Sequence, residues 1–360
     1  MSVFEDSAYR HHESVHFFVD EPTGMKAIIA IHSTDLGPAL GGCRMVRYAN
    51  SSEALNDVLR LSRGMSLKNS LAGLELGGGK AVIMVPDGWN NDPGYMGPER
   101  AELFKAFGRA VDSLGGRYIT AEDMNISVED ASNMRLTTRH VVGLDSGMGD
   151  PSPLTAEGVF FGMKACIKRA FSTESFEGLT IAVQGLGKVG WRLCEDLHKA
   201  GAKLLVADIV DGTLSNAKAQ FGAEIADADG IVAANCDIFA PCARGGVINE
   251  DTIGAVKAKV IAGSANNQLS RDSLGDDLHK SGILYAPDYV INAGGVINIA
   301  PEVKGVIDHK WVAHKVAGLE QTVGEILDAS LAQNMSTVTV ADAIAIKRIL
   351  NARVHSLEAA

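Results

Sequence analysis

Gly185-Leu186-Gly187-Lys188-Val189-Gly190 stands between an apolar run that ends at Gln184 and a helical pattern that begins near Lys188. A lone GxGxxG is a weak signal, but this placement demands a strand, a tight turn and a helix in that order. Gly185 permits the turn. Gly187 lets a pyrophosphate approach the backbone at the helix N-terminus, and Gly190 lets helix and strand pack closely. Asp208 ends the next apolar run, 23 residues after Gly185. A carboxylate there can accept hydrogen bonds from the adenosine ribose hydroxyls and would repel a 2′-phosphate. Ile209-Val210-Asp211 offers no arginine to receive one. The pattern predicts a dinucleotide site that takes NAD rather than NADP.

Around this motif the pattern is βαβ. Thr180 to Gln184, Lys203 to Asp208, Ile238 to Ala240, Val260 to Ala262 and Ile283 to Tyr285 read as strands. Residues 188–200 and Thr155 to Ala170 read as helices. Such alternation predicts a doubly wound parallel sheet. The N-terminal part reads differently. Residues 15–32 form a hairpin turning at Pro22 and Gly24, with Val15, Phe17 and Val19 on one face. A helix follows, capped by Ser51 or Ser52, then a strand Ala81–Val85, a helix Arg100–Leu114 and a strand Arg117–Thr120. Glycines and prolines cluster from Gly143 to Pro153 and mark a linker. At 360 residues two cores are expected. The reading is α/β with two domains: an N-terminal α/β substrate domain over 1–145, and a Rossmann-type dinucleotide domain over 146–333. A C-terminal helical segment, 334–360, returns to the first.

The net charge of −11 argues against nucleic acid as the main partner, since a phosphate-binding face needs clustered Lys and Arg. No run of eighteen apolar residues spans a membrane, and Met1 to Val15 does not read as a signal peptide. Five cysteines without a CxxC pair suit free thiols in a reducing cytoplasm. His12-Glu13-Ser14-Val15-His16 fits a zinc-protease pattern that works only on a helix. Here it runs into Phe17-Phe18-Val19, which reads as strand. Residues four apart on a strand lie roughly 13 Å apart, too far to share one zinc. No metal is expected.

A second glycine run, Gly77-Gly78-Gly79, precedes Lys80, with Lys68 twelve positions before it. Bare backbone there suggests close approach by substrate or cofactor. A P-loop is the rival and fails: Leu74 stands where the first glycine belongs, Ala81 follows the lysine, and a strand follows instead of a helix. If Lys68 and Lys80 face one cavity, each depresses the other's pKa, and one can act as a base. Either lysine alone also reads as a solvated surface charge. Asp123, in Thr120-Ala-Glu-Asp-Met-Asn125, is one acidic loop residue among many.

Long segments then match a family. They are Leu36–Met45, Arg63–Lys68, Leu76–Lys80, Tyr118–Asp123, Val183–Gly187, Asp237–Ala243, Ala262–Leu269 and Tyr285–Asn298. In this order they resemble the amino-acid dehydrogenases of the glutamate/leucine/phenylalanine/valine group, most closely the leucine members. The resemblance implies reversible oxidative deamination of an L-amino acid by NAD, in a homo-oligomer of two to eight copies. It implies that Lys68 holds the substrate carboxylate, Lys80 activates the water that attacks the imine, and Asp123 exchanges protons with the substrate nitrogen. Asn266 would bond near the nicotinamide ribose and substrate, with Asn292 beside it. Arg44 and Thr155 would help seat the cofactor, together with Leu186, Lys188, Val189, Ile209, Cys242 and Ala243.

The resemblance also implies a substrate class. Leu40 stands where glutamate members carry a lysine, and an aliphatic wall rejects a carboxylate. Ala121 stands where phenylalanine and tryptophan members tend to have Gly. Val296 and Ile299 fall in the side-chain pocket, and Gly41 and Met65 border it. A branched-chain amino acid is expected: leucine, isoleucine or valine. A phenylalanine or tryptophan dehydrogenase is the alternative, and a non-catalytic sensor of NAD or amino acids a remote one. Three positions depart from the leucine pattern: Lys188 replaces Asn, Arg244 replaces an apolar residue, and Asn125 replaces Gly, which is closer to the phenylalanine and tryptophan pattern.

Overall fold

The computed structural model describes residues 3–89, 97–144 and 149–358. The chain forms two compact units. One is Met1–Gly149 with Ile299–Ile307 and Ala345–Ala360, and the other is Asp150–Asn298 with Asp308–Ile344. The C-terminal return therefore joins the first unit at Ala345 rather than 334, and a short segment from Ile299 joins it too. Residues 145–148 of the expected linker lie outside the described residues.

In the first unit the elements are β1 (Ser14–Asp20), β2 (Met25–Ser33), β3 (Ala39–Leu40), β4 (Cys43–Val46), α1 (Ser51–Leu71), β5 (Gly77–Met84), α2 (Pro98–Asp112), β6 (Tyr118–Ile119) and α3 (Val128–Arg135). The sheet order is β1-β2-β5-β3-β6, with β4 also pairing with β5. β1, β2 and β5 run antiparallel, while β3 and β4 run parallel to β5. Alternation along β2 builds two cores. Ile29 and Ile31 face Leu103, Phe104 and Phe107 of α2, while Ile28 and Ala30 face Leu55, Val58 and Leu59 of α1.

The hairpin forms, and Val15 packs on the α1 core, but the rest of the expected apolar face lies open. Phe18 pairs in register with Ala27 and packs on the α2 core, so Phe17 and Val19 are turned out, 57% and 69% exposed. Helix α1 is capped by Asn50, one residue before the expected serines, whose side chain accepts from the N–H groups of Ser52 and Glu53.

Strand β5 begins at Gly77, so the glycines lie inside the strand. They serve packing rather than an opening for a ligand. A Cβ on Gly78 would lie 2.0 Å from the backbone N of Ser66 in α1. One on Gly77 would lie 2.0 Å from the Ser33 carbonyl, and one on Gly79 2.8 Å from the Tyr118 ring. Asn69 fastens the same contact, donating to the carbonyl of Gly77 at 2.6 Å. The positions of Lys68 and Lys80 therefore meet at one helix–strand contact.

The second unit begins with α4 (Ser152–Ala170). Then come β7 (Thr180–Gln184), α5 (Lys188–Lys199), β8 (Lys203–Ala207), α6 (Asp211–Phe221), β9 (Glu224–Ile225), β10 (Ile238–Pro241), β11 (Val260–Ile261), α7 (Leu274–Lys280), β12 (Leu284–Tyr285), α8 (Asp288–Ile291) and α9 (Gly294–Ile299). Helices α10 (His309–Ala317), α11 (Leu319–Gln333) and α12 (Thr337–Glu358) end the chain's described part. The sheet is wholly parallel, in the order β12-β11-β10-β7-β8-β9. The strand order reverses between β7 and β10, the switch point at which open α/β sheets bind ligands. The fold is α/β in two domains, the second a doubly wound parallel sheet. Among the described residues no helix is long and apolar enough to cross a membrane.

The contact at Gly78 gives a direct test. Gly78→Ala should lower the thermal midpoint, because overpacking costs about 1–3 kcal/mol or more and a backbone atom cannot move aside. Gly64→Ala, in α1 with no atom within 4 Å of its added methyl, should raise it slightly, by about 0.5–1 kcal/mol of helix propensity. Equal effects at both positions would contradict the packing account.

Candidate active site

The loop after β6 runs alongside β4. Cys43 N–H donates to the carbonyl of Ala121 and Met45 N–H to that of Met124. Gly42 makes this possible, since a Cβ there would lie 2.5 Å from the Glu122 carbonyl oxygen. Asp123 is thereby laid beside Arg44 of β4 and Lys80 of β5. Lys80 Nζ lies 2.8 Å from Asp123 Oδ2 and is 7% exposed. Arg44 Nε donates to the same oxygen at 2.9 Å. Burial pushes the Asp123 carboxyl up, but Lys80 and Arg44 outweigh it and hold the group below the usual carboxylate range. Asp123 is therefore held as an ionised carboxylate by its two cations. The group on the Lys80 ammonium is the Asp123 carboxylate. Lys68 lies half-buried in the last turn of α1.

Arg44, expected to help seat the cofactor, is bonded to two carboxylates of the first unit. Its Nη1 donates to Asp57 Oδ2 of α1 at 3.2 Å, and Tyr48 O–H donates to that same oxygen at 2.7 Å. Burial and Asp57 both push the Tyr48 phenol up, so it stays protonated as a donor.

The loop beyond Asp123 rests on a buried ion pair. Arg100 of α2 grips Asp130 of α3 with two bonds, at 2.8 and 2.7 Å, and both side chains are 1% exposed. Arg100 Nη2 also donates to the carbonyl of Asn125 at 2.8 Å. Asp130 closes a capping box with Ser127. Asn125 itself has φ +61, with its side chain donating to the Met45 carbonyl. Left-handed backbone accounts for this departure: Asn and Gly are the residues that tolerate it.

Two of the expected pocket residues, Ala121 and Ile299, lie beside Gly143. A Cβ on Gly143 would lie 3.8 Å from Ile299 Cγ2 and 4.0 Å from Ala121 Cβ. Gly41 abuts Met65, whose Cγ would meet its Cβ at 3.0 Å, and Leu40 is wholly buried beside it. Val296 is buried in α9 of the second unit.

In the second unit the glycine loop follows β7 and the Cys242–Ala243 turn follows β10, so both lie at the switch point. Gly185 has φ +94, and a Cβ there would lie 2.6 Å from Ala243. A Cβ on Gly190 would lie 2.0 Å from the Gly185 carbonyl, but one on Gly187 would meet nothing within 4 Å. Gly187 at the start of α5 is thus open to a phosphate, as a dinucleotide requires. Leu186 is buried, Val189 half-buried and Ile209 exposed. Asp208 accepts from the N–H groups of Leu186 at 2.6 Å and Val210 at 2.9 Å, which locks the carboxylate to the loop. Lys188 points outward, 79% exposed and 3.8 Å from Asp150. Arg244 is exposed beside Asp229. Thr155 Oγ1 donates to the Pro151 carbonyl. Asn292 Nδ2 donates to Asn266 Oδ1 at 2.8 Å and to the Ser264 carbonyl, so the Asn266 amide N–H₂ takes no part in this pair.

The histidines of the zinc-like pattern do not share a helix face. His12 precedes β1 and its Nε2 lies 3.0 Å from both the Leu59 carbonyl and Ser62 Oγ, while His16 Nε2 lies 2.9 Å from Ser14 Oγ. Among the described residues no cluster of His, Cys, Asp and Glu could hold a metal ion. Sequence reasoning missed Asp57, Tyr48, Arg100 and Asp130. Two signals were present: Ser127-x-x-Asp130 as a capping pattern, and Arg100 on the apolar stripe of α2 with Leu103, Phe104 and Phe107.

Residues 11–140 match the family described as Glu/Leu/Phe/Val dehydrogenase, dimerisation domain, and residues 207–356 match Glutamate/Leucine/Phenylalanine/Valine dehydrogenase. The leucine dehydrogenase of Bacillus subtilis is 48% identical over 352 residues, 97% of this chain and 94% of that protein. The L-tryptophan dehydrogenase of Nostoc punctiforme is 42% identical over 355 residues, 98% of each. A crystal structure of L-tryptophan dehydrogenase from Nostoc punctiforme superposes with a TM-score of 0.84 at 41% identity, covering 95% of this chain and 97% of that one. A hetero-hexameric glutamate dehydrogenase from Thermus thermophilus has the same fold, with a TM-score of 0.75 at 19% identity over 96% of this chain and 90% of that one.

The ion pair under the loop is testable. Arg100→Met leaves Asp130 buried and unpaired and should cost about 3–5 kcal/mol in urea unfolding. The exposed pair Arg271–Glu250 is the control, and its Arg271→Met variant should change stability by no more than about 1 kcal/mol.

Proposed function

The chain belongs to the glutamate/leucine/phenylalanine/valine dehydrogenase family, and from that premise we propose that it catalyses NAD-linked oxidative deamination of a branched-chain L-amino acid. L-leucine, L-isoleucine and L-valine are the substrates, the 2-oxo acid and ammonia the products, and the reaction is reversible. The observation that carries this reading is the Lys80–Asp123 contact at 2.8 Å, a buried ammonium against a carboxylate held ionised.

Hydride can leave Cα only from a neutral amine, so a base must first take a proton from the substrate ammonium. Asp123 is that base. Lys68 holds the substrate carboxylate as its counter-ion. Lys80 orients and activates the water that adds to the resulting iminium carbon, and Asp123 returns a proton to the nitrogen as ammonia departs. A nicotinamide bound through Gly185–Gly190 and Asp208 would supply the hydride acceptor. Asn266, oriented by Asn292, would bond its ribose and the substrate.

Ala121 and Ile299, meeting at Gly143, support an aliphatic pocket. Leu40, Ala121, Val296 and Ile299 carry no group that could pair with a second carboxylate. The fixed charge of Asp208 supports NAD over NADP. A sensor that does no chemistry has no need of a buried Lys–Asp pair, which weighs against that reading. We further propose a homo-oligomer working in the cytoplasm. The outward Phe17 and Val19 on the edge strand β1 support self-association, and five unpaired cysteines suit a reducing compartment.

NADH production from a panel of L-amino acids tests the substrate. Branched-chain substrates should exceed L-phenylalanine and L-tryptophan, and L-glutamate should give nothing. Ala121→Gly should raise L-phenylalanine relative to L-leucine on the order of tenfold, since one methyl is worth about 1–3 kcal/mol. A wild-type preference for an aromatic substrate would overturn the pocket assignment in favour of the phenylalanine or tryptophan reading. Lys80→Ala should lower kcat about 10²–10⁴-fold with NADH binding retained.

Cofactor choice is a separate measurement. kcat/KM should be far higher with NAD than with NADP, and Asp208→Ala should narrow the ratio. Equal efficiency with both cofactors in the wild type sinks the role of Asp208.

A further inference from the structure

Two cations converge on one oxygen of Asp123. Lys80 Nζ and Arg44 Nε both bind Oδ2, at 2.8 and 2.9 Å. The Asp123 side chain is 26% exposed, so it is reached from outside despite this double hold. Arg44 is not a floating charge. Its Nη1 is bound to Asp57 Oδ2 on α1, and Tyr48 O–H locks that same oxygen at 2.7 Å. The guanidinium plane is thus fixed between a helix on one side and the catalytic loop on the other.

We propose that Arg44 is a positioning residue for the amino-acid chemistry: anchored by Asp57 and Tyr48, it holds Oδ2 of Asp123 and leaves Oδ1 as the oxygen that exchanges protons with the substrate nitrogen. This rests on the dehydrogenase reading above. It assigns Arg44 to the proton-transfer machinery rather than to the cofactor.

Chemistry explains why Lys80 alone does not suffice. Lys80 must handle a water and its protons during turnover, and an ammonium that gives up a proton no longer holds a carboxylate. A guanidinium keeps its charge at every working pH and binds in a fixed fork. Arg44 therefore keeps Asp123 ionised and oriented through the part of the cycle in which the charge on Lys80 changes.

The other groups around Asp123 leave these two cations in control. Cys43 on β4 and Tyr118 on β6 both sense its charge, and burial pushes both well up, so both stay neutral at working pH. Glu122 adjoins it in the chain. Asp57 is matched by Arg44, and Asp130 by Arg100.

The test follows the Asp123 carboxyl itself. In the ligand-free full-length protein, its titration is read by infrared difference spectroscopy against Asp123→Asn, in wild type, Arg44→Met and Arg44→Lys. Arg44→Met should raise the midpoint by about one pH unit or more, the effect of losing an adjacent opposite charge. Arg44→Lys should shift it less, since an ammonium keeps the charge but cannot span both carboxylates. The acid limb of kcat/KM for amino-acid oxidation should move up by the same amount, with the Kd for NADH changed less than about threefold, under 1 kcal/mol. An unmoved Asp123 midpoint overturns the proposal. So does a fixed acid limb with NADH bound about tenfold or more weakly, which would return Arg44 to the cofactor. If Arg44→Met does not fold, the direction of the Arg44→Lys shift decides. The carboxyl titration needs no substrate, so a wild-type protein that oxidises no amino acid would fail the dehydrogenase reading and leave this measurement standing.

Discussion

A helix backbone comes into contact with a strand backbone only where the strand has no side chains on the facing surface. Gly78 provides that surface, and α1 settles onto it through Ser66. Everything in the first unit's site is referred to this contact. It sets Lys80 on β5, two residues beyond Gly78, and Lys68 on α1, two residues beyond Ser66. It also brings Asp57, three turns earlier on the same helix, to the side of β4 where Arg44 stands. Asn69 ties α1 to the carbonyl of Gly77 and reaches that of Leu40, so β3 is drawn into the same arrangement. A rigid frame of this kind is what proton transfer needs, since displacement by 1 Å can cost two orders of magnitude in rate.

The frame is charged, and its charges are arranged in pairs. A buried charge without a partner costs several kcal/mol, so each one constrains its neighbours. Arg100 and Asp130 satisfy each other beneath the loop, and Arg100 extends one bond to the Asn125 carbonyl. Lys80, Arg44, Asp123 and Asp57 form a chain of alternating sign on its upper side. The two ion-paired systems grip the loop from both ends, at Asp123 and at Asn125. Neither end can relax without stranding a charge, which is why an irregular loop can hold a reactive carboxylate steady.

What the sequence made legible was what local rules determine. The turn at Gly185, the strand before it and the helix after it follow from backbone sterics within six residues. The parallel sheet follows from alternation of apolar runs with helical ones. The zinc-like histidines were dismissed because Phe17-Phe18-Val19 reads as strand, and β1 runs through His16. The misreadings share a different cause. Gly77 to Gly79 look the same in sequence whether a ligand or a helix approaches them. Phe17 and Phe18 are neighbours of equal hydropathy, and only the register with Ala27 decides which one faces the core. Arg44 is 79 residues from Asp123 and 13 from Asp57, and no local pattern announces a pair across such separations. Asn125 was weighed as a subfamily mark, although a positive φ suffices to explain it.

Asp208 shows how a backbone contact sharpens a chemical choice. A mobile carboxylate would discriminate weakly against a 2′-phosphate, because it could swing away and be replaced by water. Here both of its oxygens are occupied, one by the N–H of Leu186 in the glycine loop and the other by the N–H of Val210. Turning the carboxylate aside would break two charge-assisted hydrogen bonds, each worth about 1.5–3 kcal/mol. One of them holds the loop that would receive the pyrophosphate, so the charge cannot leave without loosening the phosphate cradle as well. Each carboxylate oxygen still has a lone pair for a ribose hydroxyl. Under the proposed NAD reading, the geometry that would ready Asp208 to accept from a 2′-hydroxyl would also make its repulsion of a 2′-phosphate hard to escape. Lys188 does not offset this, since it points to solvent beside Asp150. Arg244 does not either, being exposed and paired with Asp229.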